Sequence, residues 1–434
     1  MNRLERGDLP PEILVEPPGP RSRELSAALA RAEAPGINTL GPGDEPSIVW
    51  HEALGANVLD VDGNRYLDLT SGFGVAAIGH RHPHVVAAVA EQAERLLHGL
   101  GDVAAHPARI ALAERLAALA PVDEPRVHFA VSGADAVEIA LKTALAATGR
   151  PGVLAFDPGY HGTTLGALAA SSRDGFRRPF ADHLHPNVTR LPFGAPVETI
   201  APLLAPRAFG AVIVEPVVGR EGVRVPPAGW LAALARAARA SGTLFVADEV
   251  FTGFGRTGRL FAVEHDGVRP DLLCCGKALG GGLPIAAVVG ERRHLEVWRT
   301  PGEALHTATF VAHPLACAAA LAALAVLAGE RLVERSARLG AGLGARLAEL
   351  AARSPAIREH RGVGLLHALE LADAGLARAF ARAARRRGLL LLVGGPEGRV
   401  AQLAPPLGIA EAQLEIALRL LGEAADEAAE RGAE

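Results

Sequence analysis

Cysteine, aromatic residues and lysine are scarce in this 434-residue chain, and each shortage excludes something. Of three cysteines, Cys274 and Cys275 are adjacent inside an apolar run, where ordinary disulfide geometry is out of reach. A disulfide framework is therefore excluded and a reducing cytoplasm is the expected location. Aromatics are 4% of residues against 49% hydrophobic overall, so Ala, Leu and Val must fill the core. No run is long enough to cross a bilayer; the least polar one, Leu315 to Gly329, is Ala-rich and reads as a packed helix. The first twenty residues carry charges and prolines where a signal peptide needs an apolar centre. A net charge of -4 gives no basic face for a nucleic acid. The one dense basic patch, Arg382 with Arg385, Arg386 and Arg387, reads as a solvated helix end. Lysine occurs only as Lys142 and Lys277.

What is present is organised around residues 243–290. An apolar run, Leu244 to Ala247, ends on Asp248 and Glu249, and a second, Leu272 to Cys275, is followed closely by Lys277 and by Gly280, Gly281 and Gly282. Both read as strands buried on two faces. An open parallel sheet places its ligands beyond the carboxyl ends of its strands, so Asp248 and Lys277 converge on one cleft. Pyridoxal phosphate suits such a pair: it is carried as a Schiff base on a lysine, and an Asp beside its ring nitrogen keeps that nitrogen protonated. A buried salt bridge explains the same two residues and stays open at this level. Gly253, Gly255 and Gly258 spell the dinucleotide fingerprint, which would make the chain a nicotinamide-dependent dehydrogenase. That motif must open a helix, and Arg256 to Val263 show no helical opening, so it reads as a turn.

The rest of the chain reads as an α/β protein. Residues up to about 46 form an arm with one helical patch, and Ser47 to Leu69 alternate as short antiparallel strands around a turn at Asp62, Gly63 and Asn64. Pro83 starts a helix. His80, His82 and His84 lack Cys or carboxylate partners at a metal spacing, so they read as helix-entry packing and no metal is expected. Ser132 and Asp135 make a capping box, Glu138 and Lys142 a helical pair, and the free N–H groups near Gly133 and Ala134 an anion site. Strands then alternate with helices, which requires crossovers and a largely parallel sheet. After a long amphipathic helix from Arg331 to Ala352 comes an α+β pattern: strand-like GVGLLHALEL, a helix, strand-like LLLLV, QLAPPL and a final helix. The expected domains are 1–70, an arm and short strands packing with the small domain; 71–328, a large domain whose mostly parallel sheet is sandwiched by helices; and 329–434, a smaller α+β domain.

Taken together, SGFGVAAIGHRHPHV, SGADAVEIALK, YHGTTLGAL, the EP at Glu215, ADEVFTGFGRTG, GKALGGGLP, HTATF and HPLACAAALAAL resemble the class III aminotransferases, fold type I pyridoxal-phosphate enzymes. The resemblance runs from about Trp50 to Leu421. It implies that Lys277 carries the cofactor and is the catalytic base, and that Asp248 pairs with the ring nitrogen. It further implies that Tyr160 and Val250 flank the ring and that the backbone at Gly133 and Ala134 holds the phosphate. Thr309 would reach the phosphate of a neighbouring subunit, which requires a homodimer with a shared active site. Phe73, Glu215, Arg220 and Gln402 are the substrate-contact candidates. Many glutamate-using members carry arginines where this chain has Thr163 and Gln402, and Gln where it has Phe251. A substrate carboxylate must then be held differently, with Arg220 the available replacement. The partners implied are a small amino donor and a 2-oxo acid acceptor; a racemase or aminomutase built on the same cofactor residues is the alternative.

Overall fold

The computed structural model describes residues 4–37 and 46–432. Two compact units emerge, one formed by 1–82 with 339–434 and the other by 83–338. The sequence placed these boundaries at 70/71 and 328/329. Residues 71–82 stay with the first unit because backbone bonds hold them there. Gly55 and His80 exchange two, at 3.0 and 2.9 Å, and Leu407 N–H donates to Ala77 O at 2.7 Å. The second boundary falls inside the helix Leu332–Arg353.

In the first unit, β1 (Trp50–Leu54), β2 (Asn57–Asp60) and β3 (Arg65–Asp68) pair antiparallel. The turn between β2 and β3 is built by Asp60, whose Oδ1 accepts the N–H groups of Asp62 and Asn64 at 3.0 and 2.8 Å. Gly63 stands there at φ +91°, a conformation open mainly to glycine.

The second unit contains β4 (Pro125–Ala130), β5 (Gly152–Asp157), β6 (Val188–Pro192), β7 (Phe209–Val214), β8 (Leu244–Asp248), β9 (Leu272–Cys275) and β10 (Ala286–Glu291). They form one sheet in the order β4-β10-β9-β8-β7-β5-β6. Only β10 runs against its neighbours. β8 and β9 are buried along their whole length, as their unbroken apolar composition requires. The helix Gly133–Thr148 covers the sheet with Ala136, Val137, Ile139, Ala140 and Ala144, packed in one cluster with Ile213, Val246, Leu272 and Val288. Small alanines let helix and sheet approach closely, and each fully buried Val, Leu or Ile contributes roughly 1.5 to 3 kcal/mol.

Back in the first unit, two expected strands are divided. GVGLLHALEL contains a hairpin: β11 (Ile357–Val363) turns at Gly364, φ +57°, into β12 (Leu366–Leu371). LLLLV breaks at Leu391, with β13 (Leu389–Leu390) parallel to β3 and β14 (Leu392–Gly394) antiparallel to β15 (Val400–Leu403). A uniformly apolar run carries no periodicity to reveal a change of sheet. Among the described residues no single helix is long and apolar enough to cross a membrane. The Ala-rich helix Pro314–Gly329 buries nine of its residues.

Candidate active site

Parallel pairing of β5, β7, β8 and β9 directs their carboxyl ends to one edge of the sheet. Tyr160 and His161 follow β5, Glu215 follows β7, Asp248 ends β8, and Lys277 comes two residues after β9. β4 ends at the same edge, because β4 and β9 are each antiparallel to β10. It leads through Ser132 into the helix Gly133–Thr148. Ser132 Oγ accepts Asp135 N–H at 3.2 Å and Asp135 Oδ2 accepts Val131 N–H at 2.9 Å, so the box closes one residue earlier than a standard one.

The expected pair of Glu138 with Lys142 does not form. Glu138 Oε1 accepts the Thr164 hydroxyl at 2.7 Å and the N–H groups of Gly166 and Ala167 at 2.8 and 3.2 Å. Lys142 Nζ lies instead 3.0 Å from His306 Nδ1. The Gly166 and Ala167 N–H groups are first-turn donors of the helix Leu165–Ala170, which its own N-cap residue Thr164 leaves unsatisfied, and a nearby carboxylate satisfies them at greater gain than an exposed ammonium offers.

Asp248 and Lys277 make no salt bridge with each other. Asp248 Oδ2 is 2.7 Å from His161 Nδ1, both side chains being buried, and Oδ1 accepts Val250 N–H at 3.1 Å. Burial works against protonation of His161, yet the Asp248 hydrogen bond and charge overcome it and the pKa is raised. The imidazole is held in turn by its backbone, since His161 N–H donates to Ser171 Oγ at 2.9 Å. Burial lowers the Lys277 pKa, the charges of Asp248 and Glu215 oppose that, and the charge of Arg220 adds to it. Lys277 has φ +43°, a strained backbone for a non-glycine residue that the surrounding structure must impose. Its Nζ lies 4.3 Å from the centre of the Phe251 ring.

Glu215 is buried and stitches two loops together: Oε1 accepts Tyr160 N–H at 2.8 Å and Oε2 accepts Gly219 N–H at 2.9 Å. Its pKa is pushed up to about 7, chiefly by burial. Glu249 points away from Asp248. Its carboxylate accepts the Thr252 hydroxyl and, at 2.8 Å, Val263 N–H, and burial pushes its pKa up to about 7. Its partners mark it as a support of the turn region 250–260, where the three glycines of the dinucleotide pattern open no helix. Gly258 instead, at φ +84°, packs where a Cβ would meet the backbone of Ala337 at 3.0 Å.

These residues fit pyridoxal phosphate. A phosphate needs unengaged donors, and the N–H groups of Gly133 and Ala134 are the helix-start donors that Ser132 leaves unsatisfied. The approach is kept open by glycine: a Cβ on Gly133 would lie 2.7 Å from Val250 Cγ1, and one on Gly162, at φ +128°, 2.6 Å from Ala134 Cβ. A half-buried lysine, a buried carboxylate that does not neutralise it, and Val250 and Tyr160 at the same strand ends complete the set.

The family comparison decides the matter: the class III aminotransferase profile matches residues 41–424. This chain belongs to the class III aminotransferases. It is 41% identical to the acetylornithine aminotransferase of Methanopyrus kandleri over 85% of this chain and 92% of that one. It is 37% identical to the 4-aminobutyrate aminotransferase of Mycobacterium bovis over 92% and 94%. In structure it is similar to the ornithine aminotransferase of Toxoplasma gondii, whose active site holds partly occupied PLP. The TM-score is 0.87, with 31% identity and coverage of 95% and 96%. As a class III aminotransferase of fold type I, the chain uses pyridoxal phosphate and moves an amino group from an amino donor to a 2-oxo acid. The dehydrogenase reading is thereby set aside.

Thr309 and Thr163 are exposed in the second unit. Phe73 and Gln402 belong to the first unit, Phe73 exposed at φ +62° and Gln402 buried on β15 opposite Ala368 and Leu392. His161, Phe176 and the Arg173–Glu221 pair are new relative to the sequence reading. Far from these in sequence, Asp271, Glu291 and His294 bring one donor atom each within 4.8 Å of one another. Arg293 Nε already engages Glu291 Oε2 at 2.6 Å, so a cation there would compete with a guanidinium.

Proposed function

We propose that Lys277 is the residue that carries the cofactor and serves as general base, and that Asp248, braced by His161, faces the ring nitrogen. The observation that carries this is the engagement of Asp248 by His161 while Lys277, on the adjacent strand end, is left out of any ion pair. A structural salt bridge would have joined the two.

When bound, pyridoxal phosphate supplies an electron sink for the pair left behind as the amino-bearing carbon of the substrate loses a proton. Lys277 Nζ accepts that proton and later returns one. Burial and Arg220 lower its pKa, which leaves more of it as free amine at neutral pH. Asp248 is hydrogen-bonded to a His whose pKa it raises, and a carboxylate there would hold a proton on the ring nitrogen. The N–H groups of Gly133 and Ala134 bind the phosphate, Tyr160 and Val250 flank the ring, and Glu215 fixes Tyr160 through its backbone.

The donor in this reading is an amine or an omega-amino acid, a class supported by the names of the relatives. The active form is a homodimer in the cytoplasm, with Thr309 serving the partner's phosphate. Exposed apolar residues support the dimer: Leu97, Leu100, Val103, Leu305 and Phe310 are all more than half exposed. Their two segments are neighbours, His98 and Phe310 having ring centres 5.4 Å apart, and contiguous apolar surface of this kind marks an interface.

The test is Asp248→Asn, followed in the half-reaction with candidate amines and in turnover with a panel of 2-oxo acids. The rate should fall by at least about a hundredfold, in line with removal of a preorganised charge, with the melting temperature nearly kept. An unchanged rate with a large loss of melting temperature makes Asp248 structural. Racemisation without amino transfer would favour the isomerase alternative.

A further inference from the structure

Asp135 stands in the first turn of the helix Gly133–Thr148, beside the two N–H groups proposed to bind the cofactor phosphate. A carboxylate in that turn is itself an anion within reach of the helix-start donors, and aspartate side chains readily bond to neighbouring backbone N–H groups. Turning freely, Asp135 would compete with the phosphate for Gly133 and Ala134. Both of its oxygens are instead held elsewhere: Oδ2 accepts Val131 N–H at 2.9 Å, and Oδ1 lies 2.8 Å from His306 Nε2.

His306 reaches Asp135 across 171 positions of sequence, and its ring is fixed by aromatic neighbours. Its centre is 6.2 Å from that of His128 and 6.1 Å from that of Trp298, each edge to face. Trp298 is anchored to the same helix, donating Nε1–H to the Thr143 hydroxyl at 2.9 Å. The second ring nitrogen of His306, Nδ1, lies 3.0 Å from Lys142 Nζ. A carboxylate only accepts and an ammonium only donates, so the ring donates from Nε2 to Asp135 and accepts Lys142 at Nδ1. Asp135 and Lys142 share one face of the helix two turns apart, about 10 Å along its axis. The imidazole spans that gap and joins them.

We propose that His306 is a positioning residue for the phosphate site. By holding Oδ1 of Asp135 it keeps that carboxylate off the N–H groups of Gly133 and Ala134, and Lys142 fixes the tautomer in which it does so. This rests on the reading of the helix start as the phosphate site. It accounts for an acid in the first turn of a helix that has to receive a phosphate, and for the engagement of Lys142 by His306 and not by Glu138.

The experiment strips the full-length enzyme of cofactor and measures by equilibrium dialysis the dissociation constants of pyridoxal phosphate and of pyridoxal, which lacks the phosphate. Their ratio isolates what the phosphate contributes, whereas a general loss of structure moves both constants together. In His306→Ala the released carboxylate takes the donors, and the advantage of pyridoxal phosphate over pyridoxal should fall by about three- to tenfold, the worth of one partly exposed charge-assisted contact. His306→Gln, which keeps an N–H donor for Asp135, should lose less. Asp135→Ala removes the competitor, so adding His306→Ala to it should change the ratio by less than about twofold. An unchanged ratio in His306→Ala, or the same loss with and without Asp135, overturns the proposal. A wild type that binds the two compounds equally overturns the phosphate reading itself, and this inference with it.

Discussion

His161 Nδ1 lies 2.7 Å from Asp248 Oδ2 with both side chains buried, joining residues that are 87 positions apart. The pair fixes the carboxylate beneath the proposed cofactor ring in a dry environment. Removal of such an outer partner commonly costs ten- to a hundredfold in activity. His161→Ala should therefore lower the half-reaction rate by about that factor while the visible absorbance of the bound cofactor persists. A rate equal to wild type, accompanied by a loss of melting temperature, would mean that His161 only supports the fold.

Gly133 and Val250 make a second close relationship, because a Cβ on Gly133 would lie 2.7 Å from Val250 Cγ1. Gly133→Ala must displace Val250 or the helix start. Retention of the cofactor, measured by equilibrium dialysis, should weaken by at least about tenfold for loss of one good phosphate contact. Combining it with Val250→Ala makes room for the new methyl and should recover part of that loss. If the double variant binds no better than Gly133→Ala alone, the steric explanation fails.

Glu249 predicts a pH dependence of stability. Its pKa in the folded chain, about 7 through burial, lies above the ordinary 4.5. The sign follows directly: its contribution is fully present below about pH 4.5 and is lost as pH rises through 7. Glu249→Gln can still accept Val263 N–H with its amide oxygen and donate its amide N–H to the Thr252 hydroxyl, without the buried charge. Relative to wild type it should gain roughly 1 to 3 kcal/mol at pH 8.5 and almost nothing at about pH 4. Equal melting-temperature differences at the two pH values would contradict this.

Much of the central sheet was legible because strands buried on both faces are written as unbroken apolar runs, and Asp248 and Lys277 stand where two such runs stop. Uniform runs hide breaks, which is why the change of sheet at Leu391 and the hairpin at Gly364 escaped notice. The engagement of Glu138 by the start of the helix Leu165–Ala170 was equally hidden, since helical spacing shows only neighbours on the same helix. His161 stood in plain view beside Tyr160, but nothing in the sequence joins it to Asp248. The stacking of Arg220 on Tyr160 and Phe176 depends on two loops and the short helix Asp174–Arg177, and only the fold brings them together.

The central claim is that Lys277 carries the cofactor, and the chain offers a direct test because Lys142 is its only other lysine. Lys142 is exposed on a helix beside His306, away from the strand ends. Borohydride reduction of the holoenzyme, followed by peptide mass spectrometry, fixes the cofactor to whichever amine holds it. The account predicts the added mass on the peptide containing Lys277, with Lys277→Ala losing both the visible absorbance and turnover. Modification of Lys142 alone, or wild-type turnover in Lys277→Ala, would contradict it.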